Sequence, residues 1–508
     1  MVDTKTVLIR ADASVAIGSG HVMRCLSLAA ALRARGTVVH FVSRDLPGNL
    51  LDYVRAQGYA VHPLPAPQQV FAGNDLAHSM WAGVSQEQDA DDTAGVLQKI
   101  AGVDALVVDH YAFDARWQRQ LRPWARRIVV IDDLADRSHD ADLLLDQGLV
   151  ADAEQRYVGL IPLGCIRLLG VDYAMLRDEF TELRGRVQPR QQLRRVLVFL
   201  GGVDAGDYTS LVLDALQQSA LRDCEVDVVV GGANAAATRI RERCAQSAHL
   251  HFHQAISNMA ELMVAADLSI GAGGSTTWER ACLGLPSLIL VVADNQRPSA
   301  QAMCDGDYAW MLDRHELTVA ALQRQFDAIA SDPNRFEQMS RDNLQLVDGR
   351  GAARVARRVV APEVQLRHAR IEDMRPVYEW RNDESTRRHS HSAAVIPYAD
   401  HQRWYERVLA DSQRALLIAE DQGRPVGVLR YDVTQDHALV SIYLVPGCSG
   451  AGYGPSILVA GSRWLAEEYP NTDYIIGEVL DDNVASHRAF REAGYVFRNK
   501  AYEQRLKP

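Results

Sequence analysis

The chain has no uninterrupted apolar run of about 18 residues, the length a helix needs to cross a bilayer, so no membrane-spanning helix is expected. Its first residues, MVDTKTVLIRADAS, enter a strand-like run directly and lack the pattern of a secretion signal. Cysteine is sparse. There are seven, at positions 25, 165, 224, 244, 282, 304 and 448, with no CxxC pair and no zinc-type spacing. An odd, scattered set argues against a disulfide framework and reads as reduced thiols filling core space, as in a cytoplasmic protein. No basic block is present: Lys plus Arg is 54 against 65 Asp plus Glu, a formal net charge of -11. Such a balance disfavours non-specific nucleic-acid binding, yet small anionic ligands need only local positive potential. The histidines His389 and His391 sit close in sequence, but nothing nearby completes a ligand set, so no metal is expected. Repeats and low-complexity segments are also missing.

What is present describes packed globular domains. Hydrophobic residues make up 47% and charged residues 23%. A length of 508 residues suggests roughly three domains. The first 360 residues alternate short apolar runs with longer amphipathic ones, the mark of a parallel sheet covered on both faces. Strands are expected at Thr6–Arg10, Val38–Val42, Ala105–Val108 and Ile128–Ile131. A second series is expected at Val196–Leu200, Val226–Val230, Leu250–Phe252, Leu268–Gly271 and Ser287–Val292. The polar stretch Gln188–Arg195 reads as a hinge between two Rossmann-like halves, residues 1–188 and 189–360. From Gln365 the pattern changes. A strand, a polar helical region, the antiparallel strands VLRYDV and ALVSIYLV, a Gly-rich turn, a helix, the strand YIIGEV and a last helix suggest an α+β domain over residues 365–508. The fold class is thus α/β, two Rossmann-type halves followed by an α+β domain.

Chemistry concentrates in a few loops. In IRADASVAIGSGHVMRC a strand ends, Gly18-Ser19-Gly20 turns, and a helix begins near His21. Gly18 and Gly20 let the backbone approach a ligand, and the helix start offers free N–H groups to an anion. His21, at the positive helix end, is expected neutral and is a candidate general base. Capping the helix or binding phosphate are its other readings. In GAGGSTTWERACLGLP, the loop with Gly273 and Gly274 precedes a helix opened by Ser275 and Thr276, with Glu279 one turn in. Amides there suit a diphosphate, and Glu279 suits ribose hydroxyls. A third loop, with Gly201, Gly202 and Asp204, could close over diphosphate or sugar. In the C-terminal domain, successive amides at Gly450–Gly454 can cradle a pyrophosphate. Glu478 could serve as a base or form a strand-end salt bridge.

These motifs also carry resemblances. RADAS-x-x-IG-x-GH-x-MRC, WAGVSQEQDA, VVDHYAFD, IDDLADR-x-HDADLLLDQ, LGGVD and AGGSTTWE resemble the nucleotide-sugar hydrolases of pseudaminic acid synthesis, over about residues 4–350. The resemblance implies a GT-B fold and removal of UDP from UDP-2,4-diacetamido-2,4,6-trideoxy-β-L-altropyranose by metal-free displacement with water. It implies His21 as the general base and places Tyr111, Asn295 and the adjoining Gln296 near the sugar. Unaided, Tyr111 reads as a structural aromatic and Asn295 as a helix cap.

LVPGCSGAGYGPSILVAGSRWLAEE and YIIGEVLDDNVASHRAFREAGYVF resemble the GNAT acetyltransferases, with acetyl-CoA as cosubstrate. Ser449, Gly450, Gly452 and Gly454 occupy the pyrophosphate loop, although Ser449 stands where the signature has Gln or Arg. Asn483 matches the residue that contacts the pantetheine arm. Phe490 stands where a Tyr acid is usual, so the thiolate proton must come from elsewhere, such as water or Tyr443. The run EWRNDESTRRHSHSAAVIPYADHQRWYERVL resembles the acetyltransferase of the same pathway, with Arg381, Asn382 and His401 to Tyr405 carrying the likeness and Arg381 and His401 implied at the substrate. Three other readings are the same two reactions on a different diamino-trideoxy UDP-sugar, a GT-B glycosyltransferase using a sugar acceptor, and a nucleotide-sugar-binding regulator without catalysis.

Overall fold

The computed structural model describes residues 4–506 apart from Leu163, Ala233, His391, Asn499 and Lys500. His391, half of the histidine pair above, therefore lies outside the described residues. Two compact units emerge. One holds the chain up to Leu160 together with Leu168–Ala356; the other runs from Arg357 onward and takes in Ile161–Arg167.

The first unit contains two sheets. Strands β1 (Thr6–Ala11), β2 (Val38–Arg44), β3 (Ala60–Leu64), β4 (Val103–Asp109), β5 (Ala125–Ile131), β6 (Leu143–Asp146) and β7 (Ile166–Leu169) lie in the order β3-β2-β1-β4-β5-β6-β7. They are parallel from β3 to β6. Strands β8 (Arg195–Phe199), β9 (Glu225–Val230), β10 (Leu250–Gln254), β11 (Leu268–Ala272), β12 (Ser287–Val291) and β13 (Trp310–Asp313) form an all-parallel sheet ordered β10-β9-β8-β11-β12-β13. All nine strands expected from apolar runs are there, within a few residues. Those missed, β3, β6, β7 and β13, are edge or short strands without long apolar runs. The central strands are buried almost end to end, as covered parallel strands must be.

Each sheet reverses its strand order once, between β1 and β4 and between β8 and β11. In open parallel sheets a ligand crevice forms at that reversal, beyond the carboxyl ends of the strands. The loop leading to His21 and the end of β4 flank the first crevice. The loops after β8 and β11, carrying Gly201–Asp204 and Gly273–Thr276, flank the second.

The stretch expected to be a hinge is anchored instead. Arg190 is buried, and its guanidinium donates to the backbone carbonyls of Ala266 (3.3 Å), Met263 (3.1 Å) and Leu283. These carbonyls, with that of Val264 at 3.5 Å and the nearby charge of Asp267, hold the guanidinium, so the linker cannot swing free of the second half. Residues Ala174, Leu176 and Phe180, before the linker, already pack in the second half's core with Leu197, Ala281 and Leu285.

The second unit has one mixed sheet: β14 (Gln365–His368), β15 (Arg414–Asp421), β16 (Arg424–Val433), β17 (His437–Leu444), β18 (Tyr474–Gly477), β19 (Val496–Arg498) and β20 (Ala501–Arg505). The order is β14-β15-β16-β17-β18-β20-β19, with β17–β18 the parallel pair. The antiparallel strands from VLRYDV and ALVSIYLV are observed as β16 and β17. The chain does not end on a helix: β19 and β20 follow it. Alternation along the strands sorts two cores. Leu417, Ala419, Leu429 and Tyr431 pack on the helix Tyr453–Glu468, while Leu416, Ile418 and Val428 pack with Val377, Tyr405 and Val408 on the opposite face.

One buried group ties the first unit to pH. His139 is buried, with its Nδ1 accepting from the Gln118 side-chain amide at 3.0 Å, and burial pushes it down from 6.5 to about 4. The unfolded chain takes up this proton below 6.5 while the folded chain refuses it until about 4, so stability falls as pH falls through that window. The loss from this residue approaches about 3 kcal/mol at the acid end. His139→Asn should flatten the pH dependence of unfolding between 6.5 and 4; an unchanged slope in denaturant titrations would refute the assignment.

Candidate functional site

The first crevice is built on one helix face. Helix Gly20–Arg33 places His21, Arg24 and Cys25 three and four residues apart, so they share a side. That side meets Asp109, the last residue of β4, which pairs in register with Ala11. His21 Nδ1 lies 2.6 Å from Asp109 Oδ1. Arg24 donates to both Asp109 oxygens, each at 2.6 Å, and to Asp133 Oδ2 at 3.0 Å. Cys25 Sγ donates to Asp109 Oδ2 at 3.4 Å. Burial alone would raise the Asp109 pKa, but the Arg24 guanidinium and His21 overrule it and hold it well below the carboxylate range.

An ionised Asp109 accepts a hydrogen bond from Nδ1–H, which leaves His21 Nε2 as an acceptor. Arg24 Nη2 stands 3.3 Å from the same Nδ1 but cannot donate to a nitrogen that already carries a proton. The sequence placed only a helix end beside His21; the structure adds a carboxylate that fixes the tautomer. Tyr111, expected near the sugar, packs its ring edge-on to His21 with centroids 4.7 Å apart. Its hydroxyl donates to Asp133. Burial and that carboxylate keep the phenol protonated. Trp81 approaches His21 at 6.2 Å and stacks near Tyr111 at 5.5 Å, while His78 lies 4.6 Å from Trp81. The imidazole, phenol and indole rings thus form one wall beside the end of β4.

A buried ionic cluster supports this wall. Asp12, just past β1, accepts from Arg10 (2.5 and 2.8 Å) and from the Arg44 backbone amide (2.7 Å). Asp89, on helix Gln86–Lys99, accepts from Arg10 (3.1 and 2.7 Å), Arg44 (3.2 and 2.8 Å) and Trp117 Nε1 (3.1 Å). Asp12, Asp89 and Arg10 are fully buried, and Arg44 nearly so. The cluster pins the carboxyl ends of β1 and β2 to that helix.

In the second half, Gln296 shapes the β11 loop: its Oε1 accepts from the amides of Gly273 and Val292, both at 3.3 Å. Gly274, Ser275 and Asn295 are exposed, and Thr276 is half-buried. Glu279 is mostly buried, 3.4 Å from Arg177 Nη2; burial pushes its pKa up against the opposing pull of Arg177. Asp204 is committed to the loop itself. Its oxygens accept from the amides of Tyr208 and Thr209, both at 3.0 Å, and from Thr209 Oγ1 at 2.7 Å. Gly201, at φ 97°, and Gly202 form the start of that loop. Gly231 keeps it in place, since a Cβ at Gly231 would strike the Gly202 carbonyl.

In the second unit, β17 and β18 pair only as far as Val440 with Gly477. Beyond that, Ser441–Leu444 run on without β18, and a slot opens. The turn after β17 leads to helix Tyr453–Glu468, whose N-cap Gly452 has φ 88°, a conformation that favours glycine. Ser449 and Gly450 are exposed ahead of it, and Gly454 lies in its first turn. Asn483 caps helix Val484–Glu492, its Oδ1 accepting from the Ser486 amide at 3.0 Å, which leaves its Nδ2 for a ligand. Glu478 is exposed just past β18. Phe490 is core, stacked on Tyr502 at 5.2 Å and packed against Gly477.

One implied substrate contact is overturned. His401 is 2% exposed, its Nε2 3.1 Å from the Met374 carbonyl and its ring among Tyr378, Trp404 and Tyr405. A buried imidazole satisfied by a backbone carbonyl serves the core. Tyr405 is likewise buried and donates to the Arg370 carbonyl at 2.8 Å. Arg381, by contrast, stays near the slot with Tyr443. Sequence reasoning missed Arg24, Asp109, Asp133, Asp89 and Arg430. Only Arg24 carried a local signal, its place one helical turn beyond His21.

Comparison with known proteins fits this geometry. Residues 195–357 match the glycosyltransferase family 28 C-terminal domain, and residues 363–496 match the acetyltransferase (GNAT) domain. Over 303 residues the chain is 22% identical to the UDP-2,4-diacetamido-2,4,6-trideoxy-beta-L-altropyranose hydrolase of Campylobacter jejuni, covering 59% of this chain and 97% of that one. This chain joins a unit homologous to that hydrolase to a GNAT acetyltransferase domain. It is an enzyme. The hydrolase-like unit is also 26% identical over 354 residues to the spore coat polysaccharide biosynthesis protein SpsG of Bacillus subtilis, covering 68% of this chain and 95% of the relative. Its GT-B-like fold is shared with MurG of Acinetobacter baumannii, at TM-score 0.50 and 16% identity, over 70% of this chain and 99% of the other. The hydrolase–GNAT fusion expected from the motifs is therefore supported over both parts.

Proposed function

We propose that the chain performs two successive steps of pseudaminic acid synthesis in the cytoplasm, toward flagellar or other surface glycans. The GNAT domain acetylates the 4-amino group of UDP-4-amino-4,6-dideoxy-N-acetyl-β-L-altrosamine from acetyl-CoA. The hydrolase-like unit then splits the product into UDP and 2,4-diacetamido-2,4,6-trideoxy-L-altrose. The observation that carries this reading is the His21–Asp109 pair, with Nε2 left open at a ligand crevice. The name of the Campylobacter relative supports the choice of sugar.

In the hydrolytic step His21 Nε2 takes a proton from water as the water oxygen attacks the anomeric carbon. The bond to the UDP oxygen breaks, and the electron pair leaves with the diphosphate. UDP departs as a stabilised anion, so amides of the Gly201–Gly202 and Gly273–Thr276 loops meet the leaving charge in place of a strong acid. Glu279 holds the ribose, and Tyr111, Asn295 and Gln296 position the sugar and its loop. Asp109 keeps Nδ1 protonated, and the cation formed on His21 lies against that carboxylate.

In the acetyl transfer, Gly450, Gly452 and Gly454 with Ser449 hold the coenzyme pyrophosphate, and Asn483 Nδ2 holds its pantetheine arm. Glu478, through water, removes a proton from the ammonium. The free amine attacks the thioester carbonyl, the C–S bond breaks, and the thiolate is protonated. Phe490 has no proton to give. Water or the Tyr443 phenol, which burial keeps protonated against the pull of Arg381, supplies that proton.

The test supplies acetyl-CoA and the 4-amino UDP-sugar and follows CoA thiol and UDP by mass spectrometry. Thiol should appear first, and UDP only after acetylation. Acetyl transfer without UDP removes the hydrolase reading. UDP release that requires an added sugar acceptor makes the unit a glycosyltransferase.

A further inference from the structure

Arg381, in the last turn of helix Met374–Asn382, has no carboxylate partner among the described residues. Its Nη1 is buried and has no hydrogen-bond partner among the described residues. The charged groups recorded against it are two more guanidiniums, Arg387 and Arg430, with the Tyr443 phenol beside them. Arg430 projects from β16 on the face that also carries Ser441 and Tyr443 of β17, since Arg430 pairs with Ser441 and Val428 with Tyr443. Its Nη2 lies 2.9 Å from Asp432, but its Nε is buried and unpartnered among the described residues. Asp432 is shared with Arg414 at 3.2 Å. Arg387 points its donors at the carbonyls of Asn382 (2.9 Å) and Ala393 (2.8 Å) and takes no share of that carboxylate. The Trp404 ring stands 6.0 Å from the Arg430 guanidinium.

Like charges gathered around orphaned buried donors are unfavourable unless an anion joins them. The cluster lies on the sheet face opposite helix Tyr453–Glu468, so it is separate from the loop expected to hold the coenzyme pyrophosphate. It adjoins Tyr443, on the stretch of β17 that lines the slot. An anion here therefore belongs to the second substrate. Guanidinium donors from two directions, on α-helical and β-strand supports, fit the several oxygens of a phosphoryl group better than one planar carboxylate. Trp404 adds a flat face suited to a base or sugar ring.

We propose that Arg381 and Arg430, with Trp404 beside them, form a phosphoryl seat for the acetyl acceptor, so that the domain selects amines linked to a diphosphate. The inference rests on reading this domain as the acetyltransferase of a nucleotide-linked amine, and it adds the residues that make the selection. It also gives Arg381 a partner in Arg430 that the sequence did not reveal.

The test measures CoA thiol release by the full chain, varying each substrate in turn. Arg381→Gln and Arg430→Gln should each raise KM for the 4-amino UDP-sugar about tenfold or more, with kcat within about twofold and KM for acetyl-CoA unchanged. Inorganic pyrophosphate should compete with the acceptor in the parent chain and lose potency in both variants. Arg430→Lys should recover part of the loss. If either Gln variant melts at a lower temperature than the parent, Trp404→Ala replaces it and should raise the same KM. An unchanged acceptor KM in folded variants, or pyrophosphate competing only against acetyl-CoA, overturns the seat. A parent chain that acetylates phosphate-free amino sugars but no UDP-linked amine overturns the acceptor reading itself, and the seat with it.

Discussion

Replacing His21 with Asn is expected to lower UDP release by about 100- to 10,000-fold, while CoA release continues at the parent rate. Asn keeps a polar side chain at the helix start but has no lone pair that can accept a proton from water at neutral pH. The geometry predicts a second result. Asp109→Asn should also slow UDP release, because the amide no longer compels Nδ1 to carry the proton and so no longer guarantees a free Nε2. The two residues act as one unit, so the double variant should be little worse than His21→Asn alone. Release of UDP from the acetylated sugar, followed by mass spectrometry in the three variants, provides the check. Equal activity in His21→Asn and the parent would remove His21 as base. Loss of both activities would show that the two reactions do not use separate sites.

Asp89→Ala is expected to be the most destabilising single change in the first unit, at about 3–5 kcal/mol. Asp89 accepts from Arg10, Arg44 and Trp117, and its removal leaves the buried Arg10 guanidinium with Asp12 alone and that of Arg44 with the half-buried Asp92 alone. The same cluster fixes the ends of β1 and β2, so the loss should also loosen the crevice where His21 lies. Scanning calorimetry that resolves the first unit's transition would measure it. A shift equivalent to less than about 1 kcal/mol would mean that the cluster relaxes to other partners. Trp117→Phe removes only one neutral donor from Asp89 and should cost far less.

The parts legible in the sequence share a physical cause. Strands buried on both faces must be apolar along their whole length, so β1, β4, β8, β9 and β12 announced themselves. Tight turns between a strand and a helix favour glycine, so Gly18–Gly20, Gly201–Gly202, Gly273–Gly274 and Gly450–Gly454 stood out, with Gly18, Gly201, Gly450 and Gly452 at positive φ. Edge strands such as β3 and β13 are only five and four residues long, and they passed for loops. The surroundings of His21 and Arg381 were harder to see because they are assembled across distance. Asp109 lies 88 residues from His21, and Arg430 lies far from Arg381 along the chain. Nothing in the spacing of such residues tells that a strand end will meet a helix start. His401 failed for the opposite reason. A histidine between a tyrosine and a tryptophan looks the same in a sequence whether it faces substrate or core, and only the Met374 carbonyl decides.

The sheet of the second unit draws all seven of its strands from residues 365–505. The strands of the two upstream sheets lie wholly before Val319. Neither catalytic fold borrows a strand from the other, so joining them in one polypeptide adds dosage control. Every translated copy delivers one acetyltransferase and one hydrolase. A cell cannot correct an imbalance between the two steps by making more of one. On the two-step reading proposed above, the ratio of intermediate made to intermediate consumed is written into the kinetic constants of the two sites, where substitutions at Arg430 or His21 would shift it in opposite directions.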